Sequence, residues 1–250
     1  FSTPLVMGVI NVTPDSFFDG GKYNSESGII ERAKMHLEAG AAILDVGAMS
    51  TRPKAEMIAE SDELERLIPA VKLLRTTFPE AVISVDTFRS TIAQAAIEAG
   101  ADMINDISGG TMDEAMFTTI AELQVPYVLM HIQGTPETMQ DNPSYDDVTQ
   151  EIITDLMLKA HQLKQLGVHD LIIDPGFGFG KTSEHNLSLL QNLNQFAVLG
   201  HPILAGLSRK SMINRVLSIQ PENALNGTTA LNMIALERGA SILRVHDVKE

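Results

Sequence analysis

Residues 171–181, Leu-Ile-Ile-Asp-Pro-Gly-Phe-Gly-Phe-Gly-Lys, place a carboxylate at the mouth of an apolar run and follow it with three alternate glycines. The run from Leu171 to Ile173 reads as a buried strand. Asp174 ends it, Pro175 stops strand pairing, and Gly176, Gly178 and Gly180 let the backbone turn and come close to a ligand. Burying a carboxylate there is costly unless something hydrogen-bonds it. Asp174 therefore reads either as an acid that holds a ligand or as an ordinary turn acceptor. Gly180-Lys181-Thr182 imitates the end of a phosphate-binding P-loop, but Pro175 stands where that loop needs glycine. The dinucleotide fingerprint also fails, because its third glycine comes one residue early.

Comparable side chains close the other short apolar runs: Asn11, Asp45, Asp86, Asn105 with Asp106, His131, Ser208-Arg209-Lys210, and Arg244 with His246. Asp86, Asn105 and Asp174 offer acceptors and an amide, which suits a flat heterocycle with amino and lactam edges. Lys210, Arg244, His246 and Arg52 are read as positive donors for phosphate oxygens. Asn11 suits an anion or a metal, and Ser211, at a helix start, suits a carboxylate. The plainer readings are surface solvation for Arg52 and Lys210 and a satisfied, half-buried residue for His131. The order and spacing of a Ser-His-Asp triad are missing, as is a His-Glu-x-x-His metal motif, so a metal is expected only as Mg²⁺ carried on phosphate.

These residues need a frame that brings distant run ends together. Apolar runs at 5–10, 43–46, 82–85, 103–104, 127–130, 171–173, 203–207 and 241–245 alternate with helical patterns at 25–39, 61–77, 89–99, 113–122, 146–166, 183–196, 210–217 and 224–238. In the helix at 61–77, Leu64, Leu67, Ile68, Val71 and Leu74 keep helical spacing, and Ser61 with Asp62 and Glu63 reads as its start. A weak repeat, Glu38-Ala-Gly-Ala, Glu98-Ala-Gly-Ala, Gln165-Leu-Gly-Val and Glu237-Arg-Gly-Ala, closes four helices with glycine just before a strand. Eight such units without a dividing linker predict one domain over 1–250, an α/β protein built as a single (β/α)8 TIM barrel, with a doubly wound open sheet as runner-up. In a barrel the ends of all eight strands share one mouth. The chain begins at Phe1 and stops at Glu250 just after the eighth run, so a few leading residues and a final helix are expected beyond it.

The balance of 18 Lys and Arg against 32 Asp and Glu leaves a net charge of −14, which argues against nucleic acid as a partner. Cysteine is absent, so disulfides and thiol catalysis are excluded and a reducing cytoplasm fits. No apolar run approaches the roughly 20 residues of a membrane helix. Two connections, 13–24 and 48–60, are long and rich in Gly, Pro, Ser and Thr; they follow strands and read as covers that close over a site.

Taken together and in order, these motifs resemble the dihydropteroate synthase family over almost the whole chain. The resemblance rests on Asn11-Val-Thr-Pro-Asp-Ser-Phe with Asp19-Gly-Gly, Ser50-Thr-Arg-Pro53, Ser84-Val-Asp-Thr87, and Asn105-Asp-Ile-Ser-Gly109. It continues through Met130-His131 with Gln133-Gly-Thr-Pro136, Asp174 to Lys181, Ser208-Arg-Lys-Ser211 and Arg244-Val-His-Asp247. It implies a pterin-binding TIM barrel that joins 6-hydroxymethyl-7,8-dihydropterin pyrophosphate to p-aminobenzoate, giving 7,8-dihydropteroate and pyrophosphate for folate synthesis. It further implies that Asp86, Asn105, Asp174 and Lys210 hold the pterin, with Met130 and Phe179 lining the pocket. Arg244 would lie over the pterin and reach phosphate, and Asn11 and His246 would complete the anion pocket with Mg²⁺. Thr51, Arg52, Phe17 and Asp19 would close over the reacting centre, and Ser211 would receive the p-aminobenzoate carboxylate. Cytoplasmic homodimers inhibited by sulfonamides are implied as well.

The second loop departs from the family pattern at Met49, which replaces an acid, and at Lys54, which replaces a glycine; Phe18 stands where a small residue is common. Altered loop ordering is expected from these. The charges imply that pyrophosphate leaves before the amine attacks, the aniline nitrogen being neutral and needing no strong base. Rival readings are a pterin-dependent methyltransferase domain, which would not need Ser50-Thr-Arg-Pro53 or Ser208-Arg-Lys-Ser211, and a non-catalytic pterin-binding barrel.

Overall fold

The computed structural model of the chain describes residues 3–12, 26–49 and 57–250. Strands and helices alternate as β1 (Leu5–Asn11), α1 (Glu26–Glu38), β2 (Ile43–Gly47), α2 (Glu60–Thr77), β3 (Val82–Asp86), α3 (Ser90–Glu98), β4 (Met103–Asp106) and α4 (Met116–Leu123). The second half follows as β5 (Tyr127–Met130), α5 (Val148–Gln165), β6 (Leu171–Asp174), α6 (Ser183–Gln191), β7 (Leu204–Ala205), α7 (Ser211–Leu217), α8 (Leu225–Glu237) and β8 (Ile242–Val245). All strand pairs are parallel, and the sheet runs β6-β5-β4-β3-β2-β1-β8-β7. A parallel bridge between Ile173 and Ile203 joins the two ends, with the Ile173 N–H donating to the Pro202 carbonyl at 2.9 Å. The sheet is thus closed into a TIM barrel, as the alternation of runs and helices predicts.

Strand side chains alternate between the two faces, and in a closed sheet those faces are the inside and the outside of the barrel. Leu44, Val46, Ile83, Val85, Ile104, Leu129, Ile173 and Leu243 face outward into the main core under the helices. The other set points inward. Met7, Ile43, Met103, Val128, Ile172, Leu204 and Ile242 pack as a separate apolar floor. Two residues further along those strands stand Val9, Asp45, Asn105, Met130, Asp174, Gly206 and Arg244, with Ser84 at the matching level of β3. One strand period therefore leads from an apolar floor to a layer that carries Asp45, Ser84, Asn105, Asp174 and Arg244.

The helix-closing glycines behave as the repeat predicts: φ is +95° at Gly40, +108° at Gly100, +88° at Gly167 and +98° at Gly239, each left-handed. Several boundaries differ from expectation. Helix α2 starts at Glu60 with Ala59 as its cap and no side-chain cap bond. Ser61 is inside it, and Glu63 is buried for another purpose. Asp113 belongs to no helix: its carboxylate accepts the Ser90 and Ala115 N–H groups, so α4 begins at Met116. The helix expected at 183–196 breaks at Asn192 into α6 and a 3₁₀ segment, Leu193–Leu199. At Asp147 and Thr182 the side chains do cap, the latter in a reciprocal box with His185.

Glycine is required most sharply at Gly176, where φ is +72° and an added Cβ would lie 1.9 Å from the His131 carbonyl oxygen. At Gly167 the same substitution meets nothing within 4 Å. Gly167→Ala is expected to cost about 1–2 kcal/mol, the left-handed strain alone, and Gly176→Ala roughly 3 kcal/mol or more, because backbone overlap adds to it. Urea unfolding of the two variants checks the difference; equal losses would mean that the two segments are not pressed together.

Candidate active site

The inward-facing positions at the carboxyl end of the barrel carry the chemistry. Asp45, on β2, is fully buried and acts as the central acceptor. One carboxylate oxygen takes the Ser84 hydroxyl at 2.7 Å; the other takes Asn105 Nδ2 at 3.1 Å and Arg244 Nε at 2.6 Å. Arg244 Nη2 also donates to Asp86 at 2.7 Å. A single guanidinium therefore lies between two acids from β2 and β3. Burial pushes Asp86 up to about 7 against the pull of Arg244, and the charge on Asp45 adds to the rise. Burial also raises Asp174, although the Gly176 N–H bonds its carboxylate at 2.8 Å and Lys210 and Arg244 lie nearby.

Small residues leave room beside these groups. Gly206, the inward residue after β7, has nothing within 4 Å of an added Cβ. With Asn105, Ile107, Met130, Asp174, Phe177, Phe179, Lys210 and Arg244 it lines a pocket in the barrel mouth. The Lys210 ammonium stands 4.3 Å from the centre of the Phe179 ring, a cation–π contact. Burial lowers Lys210 to about 8, with Arg244 adding to the effect and Asp174 and Asp86 opposing it. A second, outer groove is lined by Gln140, Asn142, Pro143, Ser144, Thr182, Ser211 and Arg215. Met130, Phe179, Ile107, Phe88, Ile132 and Met139 form an apolar cluster against which Met49 packs.

Most of the expected site residues in the described part of the chain meet here. Asn105, Asp174, Met130, Phe179, Lys210 and Arg244 share the inner pocket, Asp86 is bonded to Arg244, and Ser211 opens α7 beside the outer groove. Asn11 ends β1 opposite Gly47. Phe17, Asp19, Thr51 and Arg52 lie outside the described residues, as do Phe18, Lys54, the whole of the connection 13–24 and residues 50–56 of the connection 48–60. Three expectations change. Arg244, read as a donor for phosphate oxygens, is engaged by two acids, Asp45 and Asp86. His246 was expected as a positive donor, but burial and the neighbouring Arg244 push it down to about 3 and keep the ring neutral, bonded to the Ser208 hydroxyl at 3.0 Å. Lys210 is half-buried in the pocket, which replaces the reading of a solvated surface lysine.

Sequence reasoning noted Asp45 only as a strand end and gave it no role. Period two was the missed signal: Asp45 follows the floor residue Ile43 by two, as Asn105 follows Met103 and Asp174 follows Ile172. Two further buried networks also carried no distinguishing signal. Glu63 accepts the Thr87 hydroxyl at 2.7 Å and pairs with Arg89, whose Nη2 reaches the Ile58 carbonyl at 2.7 Å. Lys181 is buried against His131. Among the described residues there is no group of three or more His, Cys, Asp or Glu side chains that would hold a metal, and no helix long and apolar enough to cross a membrane.

The chain resembles known proteins over almost its whole length. The chain matches the pterin binding enzyme family over residues 7–246. Dihydropteroate synthase of Escherichia coli strain K12 is 45% identical over 251 residues, covering 100% of this chain and 88% of that protein. Dihydropteroate synthase of Yersinia pestis, solved as a sulfonamide drug complex, superposes with a TM-score of 0.95 at 40% identity, over 99% of this chain and 90% of its own. The Xanthomonas albilineans enzyme with 4-aminobenzoic acid gives 0.91 at 41% identity, over 99% and 89%. Each is named as a synthase and none as a methyltransferase.

The elevated Asp86 has a consequence for stability. Its folded value, about 7, lies above the ordinary 3.8. Its favourable contribution is therefore complete below the ordinary value and is lost as pH rises through the folded one. Asp86→Asn removes that loss while keeping an acceptor for Arg244. The Tm of the variant minus that of the parent should grow more positive between about pH 4.5 and pH 8. A difference independent of pH, followed by scanning calorimetry, would show that Asp86 is not shifted.

Proposed function

Because this chain belongs to the dihydropteroate synthase family of pterin-binding enzymes, we propose that its barrel mouth joins 6-hydroxymethyl-7,8-dihydropterin pyrophosphate to p-aminobenzoate, releasing pyrophosphate. The chain is a transferase of folate biosynthesis. The observation that carries the substrate reading is the convergence of Asn105, Asp174, Lys210 and Arg244 on one pocket walled by Met130 and Phe179. The 4-aminobenzoic acid and sulfonamide held by the Xanthomonas and Yersinia enzymes support the second substrate and the expectation of sulfonamide inhibition.

Each group has a task. The Asp174 carboxylate accepts from the amino and ring N–H groups of the pterin, and Asp86 offers a second acid edge. The Asn105 amide nitrogen is already given to Asp45, so its oxygen is turned to the ring as an acceptor. Lys210 donates to the lactam oxygen, Met130 covers the ring face, and Phe179 walls the pocket on the aminobenzoate side. Arg244 has two nitrogens bound to acids and keeps Nη1 for a phosphate oxygen. His246, being neutral, contributes an N–H and not a charge. Ser211 and the first N–H groups of α7 take the p-aminobenzoate carboxylate. Thr51 and Arg52, with Phe17 and Asp19, keep the role at the reacting centre that their motifs imply.

A divalent metal is commonly involved in this family, and we assign Mg²⁺. A single amide oxygen, that of Asn11, at the strand end fits a hard cation that takes its other ligands from diphosphate and water, and not one that needs a protein cage. When bound it would neutralise diphosphate charge and make it a better leaving group. The chain's own part is positioning. Asp86 and Asp174 lie where positive character on the pterin methylene is offset, and the Phe179 side presents the neutral aniline nitrogen. Loss of pyrophosphate precedes amine attack; the aniline nitrogen is neutral near pH 7 and needs no strong base. We also assign a cytoplasmic homodimer. The exposed Leu187 on α6, Val216 and Leu217 on α7 and Met233 and Ile234 on α8 offer an apolar face for the second copy.

Lys210→Ala, Asp174→Asn and Arg52→Ala should each lower kcat/KM by at least about 10²-fold, the loss typical of one polar group at a reacting centre. A coupled pyrophosphate assay with and without p-aminobenzoate reads this; near-parental rates in all three would overturn the assignment. Rapid-quench experiments with pterin pyrophosphate alone should show pyrophosphate release without p-aminobenzoate. Strict dependence on the amine would refute the order of steps.

A further inference from the structure

The turn after β6 is held by a buried cation that the reaction itself does not use. Lys181 is 2% exposed, and among the described residues its ammonium bonds to no carboxylate. It donates instead to His131 Nδ1 at 3.0 Å, to the Phe179 carbonyl at 2.9 Å and to the His131 carbonyl at 3.4 Å. Burial lowers Lys181 to about 7, with the charges of Asp174 and Asp155 opposing the fall; in its ammonium form it makes His131 Nδ1 the acceptor. Its ring is kept neutral by burial and by the lysine charge, which push it down to about 2. An ammonium with no carboxylate in hydrogen-bond contact is an expensive way to fill a core, and an apolar chain of the same length would often serve stability as well.

What the contacts accomplish is mechanical. They belong to a set of ties between residues 131–145 and the turn 175–181. Tyr145 donates its hydroxyl to the Gly180 carbonyl at 2.8 Å, and Gln140 donates to the Gly178 carbonyl at 2.9 Å. Gly176 and Gly180 press against the His131 and Gln133 backbones so closely that a Cβ on either would overlap a carbonyl. The turn so held carries Phe179, whose ring lies against Lys210. It carries Phe177 and Phe179 into the inner pocket and runs directly into Thr182, which with Ser211 lines the outer groove.

We propose that Lys181, with His131 as its acceptor, is a positioning residue that fixes Phe179 as the wall of the p-aminobenzoate subsite. This rests on the assignment above of the pocket to the pterin and of the groove at Ser211 to the aminobenzoate. The ammonium matters because it reaches the Phe179 carbonyl and the Nδ1 and carbonyl of His131 at once. A hydrocarbon chain fills the same space and leaves the turn free to slide along the 131–133 backbone.

Lys181→Met separates the two roles. The variant should keep the parental Tm within a few degrees and its KM for pterin pyrophosphate within about 3-fold. Its KM for p-aminobenzoate, and the Ki of sulfanilamide, should rise about 10-fold or more, as misplaced substrate contacts do. His131→Leu should reproduce this split, and His131→Asn, which keeps an acceptor near the Nδ1 position, should restore the aminobenzoate KM to near the parental value. A p-aminobenzoate KM unchanged in Lys181→Met, or a loss shared equally by both substrates, overturns the proposal. If Lys181→Met does not fold, His131→Leu and Tyr145→Phe decide it by the same split. Parental turnover in Lys210→Ala would instead remove the site assignment beneath it, whatever the Lys181 variants show.

Discussion

The site depends on one guanidinium placed between two carboxylates inside a closed sheet. Arg244 binds Asp45 and Asp86 at 2.6 and 2.7 Å, above a floor of seven apolar side chains. Unpaired charges at that depth would be too costly to keep. Pairing makes them tolerable but incompletely satisfied: one cation serves two acids, and Asp86 is left well above the usual carboxylate range. A pocket that holds charge in this unsatisfied state has binding capacity to offer a ligand rich in N–H donors and phosphate oxygens. Asp45 aims Asn105 and Arg244 by taking one donor from each.

Rigid elements and turns divide the work. The acids and Asn105 are strand residues, set by the pleat and by register with their neighbours. Lys210 and Ser211 come from the junction of a strand and a helix, where Lys210 is the cap residue of α7. Phe179 comes from a turn with little regular structure, and it is there that carbonyls are tied down one by one, by Lys181, Tyr145 and Gln140. A turn without a ladder has to be held by side chains if it is to present a ring at a fixed place. Buried side-chain donors inside the protein do this more firmly than water would.

Much of this was legible in the chain. The eight-fold alternation and the four glycine closures fix the architecture, because helix and strand periods differ and only a left-handed residue ends those helices cheaply. The motifs from Asn105, Asp174 and Lys210 point to the mouth for a local reason: polar residues at strand ends need either solvent or a ligand. Asp45 stayed in the background because it looks like another strand-end acid until strand pairing sets its level beside Asn105 and Arg244. His246 was taken for a cation because its charge depends on burial and on Arg244, two residues away in sequence and fixed beside it by the barrel mouth. Lys181 looked like part of a failed phosphate loop.

By itself, then, the order of residues determined which side chains face inward, through the period of the strand, and that thiol chemistry has no residue to carry it in this sequence. Tertiary structure alone decided the partners and the protonation states. Asp45 and Arg244 are separated by 199 positions yet bonded, and the neutrality of His131 and His246 comes from burial beside cations. The physical reason is range. Backbone period and turn chemistry act over a few residues and can be read along a line. Coulomb forces and desolvation act through space, and the distances that govern them exist only once the barrel has closed.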